Sequence, residues 1–280
     1  MMQFGDLPHP YCDREYAEIV LLPVPYDATS TWIKGADRGP AAILDASANM
    51  ELYDIETDSE VYRKGIHTDL PMKVDENPEI MAGQVEKRVS YWLDQHKMVA
   101  TLGGEHSVSL GPIRAHLHKY PEMSVLQLDA HTDLRQEYGG SPYNHACVMA
   151  RVLELCPVTQ VGIRSMDISE KELIQPDRFF TQERIRDEKG WMEQVLRTLG
   201  DQVYITLDLD VLDPSIMPST GTPEPGGMDW YTLLALVRKV ADEKEIVGFD
   251  VVELCPVASN KAPDFLAAKI IYKILNYCFN

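Results

Sequence analysis

Apolar residues in this chain fall into short unbroken runs separated by longer amphipathic stretches. The runs at 19–22, 98–102, 125–128, Val158–Ile163, 203–209 and Glu245–Val252 read as buried strands, with 179–180 a shorter candidate. Asn77-Pro78 opens the clearest helical pattern. Ile80, Met81, Val85, Val89, Trp92 and Leu93 form its apolar stripe, and Glu86, Lys87, Arg88 and Asp94 lie off it. Gly39-Pro40 starts another helix, through Ala41, Ile43, Leu44 and Ala48. Further helices are predicted over 107–118, 145–155, 191–199, 229–240 and 264–277. The polar, irregular stretch 53–73 has room for one edge strand, and residues 1–17 read as an arm on the surface. Strands alternating with helices predict a mostly parallel sheet covered on both faces, in a single domain over 1–280.

In such a sheet, ligands sit beyond the carboxyl ends of the strands, so polar residues just after an apolar run are the site candidates. Few positions pass this filter. His106 follows Gly103-Gly104-Glu105; Asp129, His131 and Asp133 alternate after 125–128; Asp208 and Asp210 alternate at the end of 203–209; Glu253 follows Glu245–Val252. Alternate side chains on an extended chain share a face. Two imidazoles and four aspartates would therefore converge on one rim, a costly arrangement without cations between them. Four carboxylates balance two divalent ions. Oxygen-rich coordination without thiolates favours manganese over zinc, and such a pair lowers the pKa of a shared water for metal-assisted hydrolysis. Asp213, followed by Pro214, is read as a turn residue instead. His9, His67, His96, His116 and His118 have no partner pattern and read as surface or satisfied groups.

Composition narrows the class. With 45% hydrophobic and 25% charged residues the chain is an ordinary globular sequence. A net charge of −18 argues against nucleic acid or an anionic membrane as partner. Cys12, Cys147, Cys156, Cys255 and Cys278 are odd in number and show no Cys-x-x-Cys spacing, so reduced thiols are expected in a cytoplasmic protein. Neither a signal pattern nor a run long enough to span a membrane is present.

Gly-Gly-Glu-His-Ser (103–107), Asp-Ala-His-Thr-Asp (129–133), Asp-Leu-Asp-Val-Leu-Asp-Pro (208–214) and Gly-Thr-Pro-Glu-Pro-Gly-Gly (221–227) resemble the signatures of the ureohydrolases, the arginase and agmatinase family. The resemblance runs from about Val20 to the C-terminus, with the motifs in matching order. It implies a three-layer α/β/α sandwich, two Mn²⁺ per chain, and hydrolysis of a small-molecule guanidino substrate to urea and an amine. Carried over position by position, it implies that His106 and Asp133 hold one ion, His131 and Asp210 the other, and Asp129 and Asp208 bridge them. His145 matches the proton-shuttling histidine and Glu253 the carboxylate that pairs with the guanidinium. A homo-oligomer, trimer or hexamer, is the family's usual assembly.

The segment 134–143 and the loop carrying Glu224 look like the agmatinase versions, and acidic Glu224 or Glu137 would suit a substrate with a distal ammonium. Agmatine, cleaved to urea and putrescine, is therefore the expected substrate. Ala146-Cys147 departs from the Gly-Thr of some agmatinases and would alter the pocket floor. Arg135 could instead favour an acid-bearing compound unless Glu137 neutralises it. The alternatives are another amidinohydrolase (guanidinobutyrase, arginase or formimidoylglutamase), a single-zinc deacetylase on a related fold, and a non-catalytic metal-binding subunit. The last two are disfavoured because the full ligand set, with His145 and Glu253, is intact.

Overall fold

A computed structural model describes residues 2–280. Its centre is one eight-stranded sheet: β1 (Ile19–Val24), β2 (Ile66–Thr68), β3 (Met98–Gly103), β4 (Ser124–Leu128), β5 (Val158–Ile163), β6 (Phe179–Thr181), β7 (Gln202–Asp208) and β8 (Glu245–Val252). The order across the sheet is β2-β1-β3-β8-β7-β4-β5-β6, and every pairing is parallel.

Helices α1 (Gly39–Ser47), α2 (Pro78–Leu93), α3 (Leu110–Lys119), α4 (Val148–Leu153), α5 (Gln182–Asp187), α6 (Trp191–Thr198), α7 (Trp230–Glu243) and α8 (Ala262–Cys278) cover both faces. The twofold alternation along each strand decides which face each residue serves. Leu21, Leu102, Leu126, Ile205 and Phe249 pack with residues of α1, α6, α7 and α8. Val20, Leu22 and Val99 turn the other way onto α2, while Val125, Tyr204 and Val247 meet α3 and α4. This is the expected three-layer α/β/α arrangement. Both edge strands are only three residues long, which limits the unpaired edge they offer.

Differences from the expected elements are local. Strand β1 continues through Pro23 to Val24, because β2 pairs only with Ile19 to Leu21 and nothing there needs the missing N–H. Two expected helices begin as 3₁₀ turns: His106–Ser109 precedes α3, and His145–Cys147 precedes α4. Helix α5 spans six residues, too short to show a period, and starts at Thr181, whose hydroxyl accepts the Arg184 N–H. The amino-terminal segment, apart from Met1, which lies outside the described residues, does not lie loosely on the surface. Phe4 is buried against Tyr272, and its N–H donates to Thr68 Oγ1 at 2.9 Å. Among the described residues no helix is long and apolar enough to cross a membrane, and all five cysteines are free thiols.

Candidate active site

The chain leaves β3 for β4 across a gap later filled by β7 and β8. The four central strands thus end side by side in the order β3-β8-β7-β4. Their carboxyl ends deliver His106, Glu253, Asp208 with Asp210, and Asp129 with His131 and Asp133. All are buried except His131, which is partly open.

Five of the six expected ligands form two groups that share one residue, and Asp133 stands outside both, against His106. His106, Asp129 and Asp208 offer ligand atoms within 4.8 Å of one another, and so do Asp129, His131 and Asp210. Asp129 faces both ways. Its Oδ2 lies 3.1 Å from His106 Nδ1 and its Oδ1 3.7 Å from His131 Nδ1. Asp133 Oδ2 is 2.9 Å from His106 Nδ1, and Asp210 Oδ2 is 3.0 Å from His131 Nδ1. Asp208 turns Oδ2 toward His106 Nδ1 at 3.5 Å, while its Oδ1 accepts the Asp210 N–H at 2.9 Å.

Local backbone structure fixes these directions. Asp133 has φ 51°, and its carbonyl accepts N–H groups of Met149 and Ala150 at the start of α4. Glu253 has φ 66°, and its N–H donates to Gly104 O at 2.8 Å. A left-handed conformation at a carboxylate residue is strain held by its surroundings, and such strain concentrates at functional sites. Gly104 allows the close approach beside them: a Cβ there would lie 1.8 Å from the Tyr26 carbonyl oxygen.

Without a cation the cluster must share protons. Burial, then Asp210 and Asp129, hold Asp208 well above the carboxylate range. Burial and the Asp129 charge raise Asp133 to about 6. For His131, burial favours the neutral ring, but Asp210 and the contacts with Asp129 outweigh it and raise the pKa to about 12. Burial likewise opposes protonation of His106, and Asp129 and Asp133 overcome it.

The donor set fits divalent cations. His106 Nε2 lies 2.9 Å from Thr206 Oγ1, which donates to Asp250 Oδ1 at 2.8 Å. Ser109 and Tyr204 donate to the same buried carboxylate at 3.0 and 2.9 Å. In a neutral His106, the form that binds a metal, a hydroxyl whose proton goes to Asp250 accepts from the imidazole, so Nε2 would carry the proton and Nδ1 would be free to ligate. That buried Nδ1 makes no hydrogen bond, although carboxylate oxygens crowd it. A buried ring nitrogen without a hydrogen bond, surrounded by carboxylate oxygens, matches a metal position, and the hydroxyl–carboxylate chain behind it is the usual way to orient a ligating histidine.

A cavity of about 220 Å³ opens beside this cluster, lined by His131, Asp133, His145, Ala146, Tyr138, Arg135 and Asp167 among others. A larger groove of about 850 Å³ runs along Tyr26, Arg38 and Lys73 but contains none of the clustered groups. His145 sits edge-on to Tyr138 in the smaller cavity, and burial, then His106, lowers its pKa to about 4. Glu253 is buried, with Oε1 accepting the His106 N–H at 2.7 Å; burial and Glu105 push its pKa well up. Glu224 Oε1 stands 3.8 Å from His131 Nε2 at the rim. Of the floor pair, Ala146 lines the cavity, whereas Cys147 is buried and turned toward the Ser141 carbonyl. Arg135 stacks on Tyr138 and faces Asp167 at 3.5 Å, so its neutralising partner is Asp167 and not Glu137.

The family model described as the arginase family matches residues 17–276. The chain belongs to the arginase family. An N(1)-aminopropylagmatine ureohydrolase of Thermus thermophilus is 40% identical, over 96% of this chain and 92% of the relative. One from Synechocystis is 36% identical, over 93% and 89%. The crystal structure of agmatine ureohydrolase of Thermoplasma volcanium superposes with a TM-score of 0.89 at 32% identity, covering 100% of this chain and 94% of that one. This protein is an arginase-family amidinohydrolase, and its fold is the arginase-like one that the motifs implied.

Around the site, the sequence marks Asp213 as a turn residue and does not single out several other groups. Asp213 does hold turns, accepting from the N–H groups of Ser215, Gly226 and Gly227, and so anchors the loop bearing Glu224. Arg164, directly after β5, ties the same loop to the strand ends through the carbonyls of Glu224, at 2.8 Å, and Asp210, at 2.6 Å. The strand-end filter reaches Arg164 and, beyond β1, Asp27 and Thr29. It misses Thr206, Tyr204 and Ser109, which lie inside a strand or a helical turn.

Proposed function

We propose that the chain is a binuclear manganese hydrolase that cleaves the guanidino group of an aliphatic guanidino amine to urea and an amine. In this reading His106, Asp133, His131 and Asp210 are terminal ligands, and Asp129 and Asp208 bridge. The observation that carries it is the divided orientation of Asp129, one oxygen toward each histidine. Asp208 would be the second shared carboxylate, its Oδ2 facing His106 and its Oδ1 accepting the Asp210 N–H. When bound, a pair of such cations lowers the pKa of a shared water and polarises the guanidino carbon.

The side chains account for the remaining steps. Glu253, buried beside the cluster, would pair with the planar guanidinium and place its carbon over the strand ends. Burial, then Glu105, disfavours its charged form, so a cationic substrate would supply a compensating partner. His145, neutral in this pocket, would take a proton and return it to the departing amine nitrogen as the C–N bond breaks.

For the substrate, Arg135, the one arginine or lysine lining the cavity among the described residues, is already paired with Asp167, while Glu224 stands at the rim. This favours a cationic tail over a carboxylate. Agmatine is the expected compound, and the names of the Thermus and Synechocystis relatives favour agmatine extended by an aminopropyl group. Urea release from agmatine, N(1)-aminopropylagmatine, arginine and guanidinobutyrate, compared with Mn²⁺, Ni²⁺ and Zn²⁺, tests the proposal. The first two should be turned over, with Mn²⁺ the best ion. Turnover of arginine or guanidinobutyrate alone would overturn the substrate assignment. The homo-oligomer expected of the family belongs to the same reading and is checked by light scattering.

A further inference from the structure

Glu105 is fully buried beneath the site yet contributes to neither ligand group. Both its oxygens are occupied from the loop that follows β1. Thr29 N–H and Ser30 N–H donate to Oε2 at 2.6 and 2.7 Å, and the hydroxyls of Thr29 and Ser107 donate to Oε1. Asp27 closes the same loop by accepting from Gly35 N–H at 2.6 Å.

Thr29 connects this carboxylate to His145. Its hydroxyl oxygen receives the His145 backbone N–H at 3.0 Å and lies 3.2 Å from His145 Nδ1. A hydroxyl has one proton, and here it goes to Glu105, whose carboxylate can only accept. The contact with Nδ1 must then run from the ring to the hydroxyl. Nδ1 carries the proton, and Nε2 is left with a free lone pair. Among the described residues no group bonds to Nε2, and the ring borders the cavity.

We propose that Thr29 and Glu105 are positioning residues that fix the His145 tautomer, so that Nε2 is the nitrogen that exchanges protons during hydrolysis. The inference rests on the proton role proposed above for His145. In the forward step Nε2 takes a proton from the attacking water. It then gives that proton to the leaving nitrogen as the C–N bond breaks, which restores the neutral ring. Throughout, Nδ1–H stays on Thr29, and the charge that develops on the ring is stabilised by Glu105 through the hydroxyl. With the hydroxyl removed, both tautomers and a rotated ring become accessible, and only a fraction of molecules presents a bare Nε2.

The test is a double-mutant cycle on the manganese-loaded enzyme, with manganese content and melting temperature measured alongside urea release. Thr29→Val should lower kcat by roughly 10-fold or more, in the range of general acid–base effects, with KM and manganese content little changed. Thr29→Ser, which restores the hydroxyl, should recover most of the rate. Should Thr29→Val melt far below the parent, Thr29→Ala carries the same expectation without the added methyl. His145→Asn combined with Thr29→Val should be no slower than His145→Asn alone, since Thr29 acts through His145. A wild-type kcat in the variants without the hydroxyl, a Thr29→Ser enzyme as slow as Thr29→Val, or additive losses in the double mutant would each overturn the relay. An impaired His145→Asn beside an unimpaired Thr29→Val overturns the relay alone. Full activity in His145→Asn overturns the proton role and the relay with it.

Discussion

At the scale of the residue, the account turns on Asp129, whose oxygens face His106 and His131 separately. Replacing it with Asn keeps the shape but removes the charge and turns one oxygen into a donor. Asp129→Asn should lose both manganese ions and urea release together, measured by metal analysis after gel filtration. Two retained ions with full turnover would refute a bridging role. Thr206 is a quieter case. Thr206→Val leaves the buried Asp250 and His106 Nε2 without their link, so stability should fall by about 1–3 kcal/mol. Manganese affinity should drop roughly 10- to 100-fold, measured by chelator competition. These two residues also mark what a sequence can disclose. Asp129 stands at a strand end, in an alternating motif, and is readable there. Thr206 is an ordinary β-branched residue within a strand, and only the packing of β7 against β8 reveals that it meets Asp250.

At the scale of the element, the apolar runs foretold six long strands because each is buried on both faces and so cannot alternate. The site candidates converge because they stand at the ends of those strands. The weaker predictions share one cause: tertiary contacts that periodicity does not record. The 3₁₀ turns before α3 and α4 arise where His106 and His145 must be held at the rim, and α4 starts only after its N–H groups meet Asp133. The arm reading of residues 1–17 does not foresee that a single aromatic, Phe4, is buried against Tyr272 of α8. Gly104 gives a test at this scale. Gly104→Ala places a methyl against the Tyr26 backbone, so the segments that follow β3 and β1 must part. The expected loss exceeds about 2 kcal/mol, read as a lower melting temperature, and an unchanged melting temperature would contradict the close approach.

At the scale of the whole molecule, the site is a concentration of charge that the fold tolerates only with compensation. Burial raises Asp133 to about 6 from an ordinary 3.8, and also holds Asp208 and Glu253 well above the usual carboxylate range. Over that range these carboxylates bind more protons in the folded, metal-free protein than in the unfolded chain, so their contribution to stability declines as pH rises from about 4 through 6. Bound cations remove that penalty and compete with the same protons. The gap in melting temperature between manganese-loaded and chelator-treated protein should therefore widen from pH 6 to pH 8. A gap that narrows would show that the cluster does not hold the ions. The net charge of −18 adds to the repulsion without indicating the site. Family and fold were legible from four motifs in order, whereas the length of the substrate depends on side chains at the rim, such as Arg135 paired with Asp167. The central claim, two cations acting as one hydrolytic centre, is met most directly by titrating metal-free protein with Mn²⁺ while following urea release from agmatine and N(1)-aminopropylagmatine. The account predicts that two ions bind per chain and that full activity appears only as the second binds; saturation at one ion, or full activity with one, would contradict it.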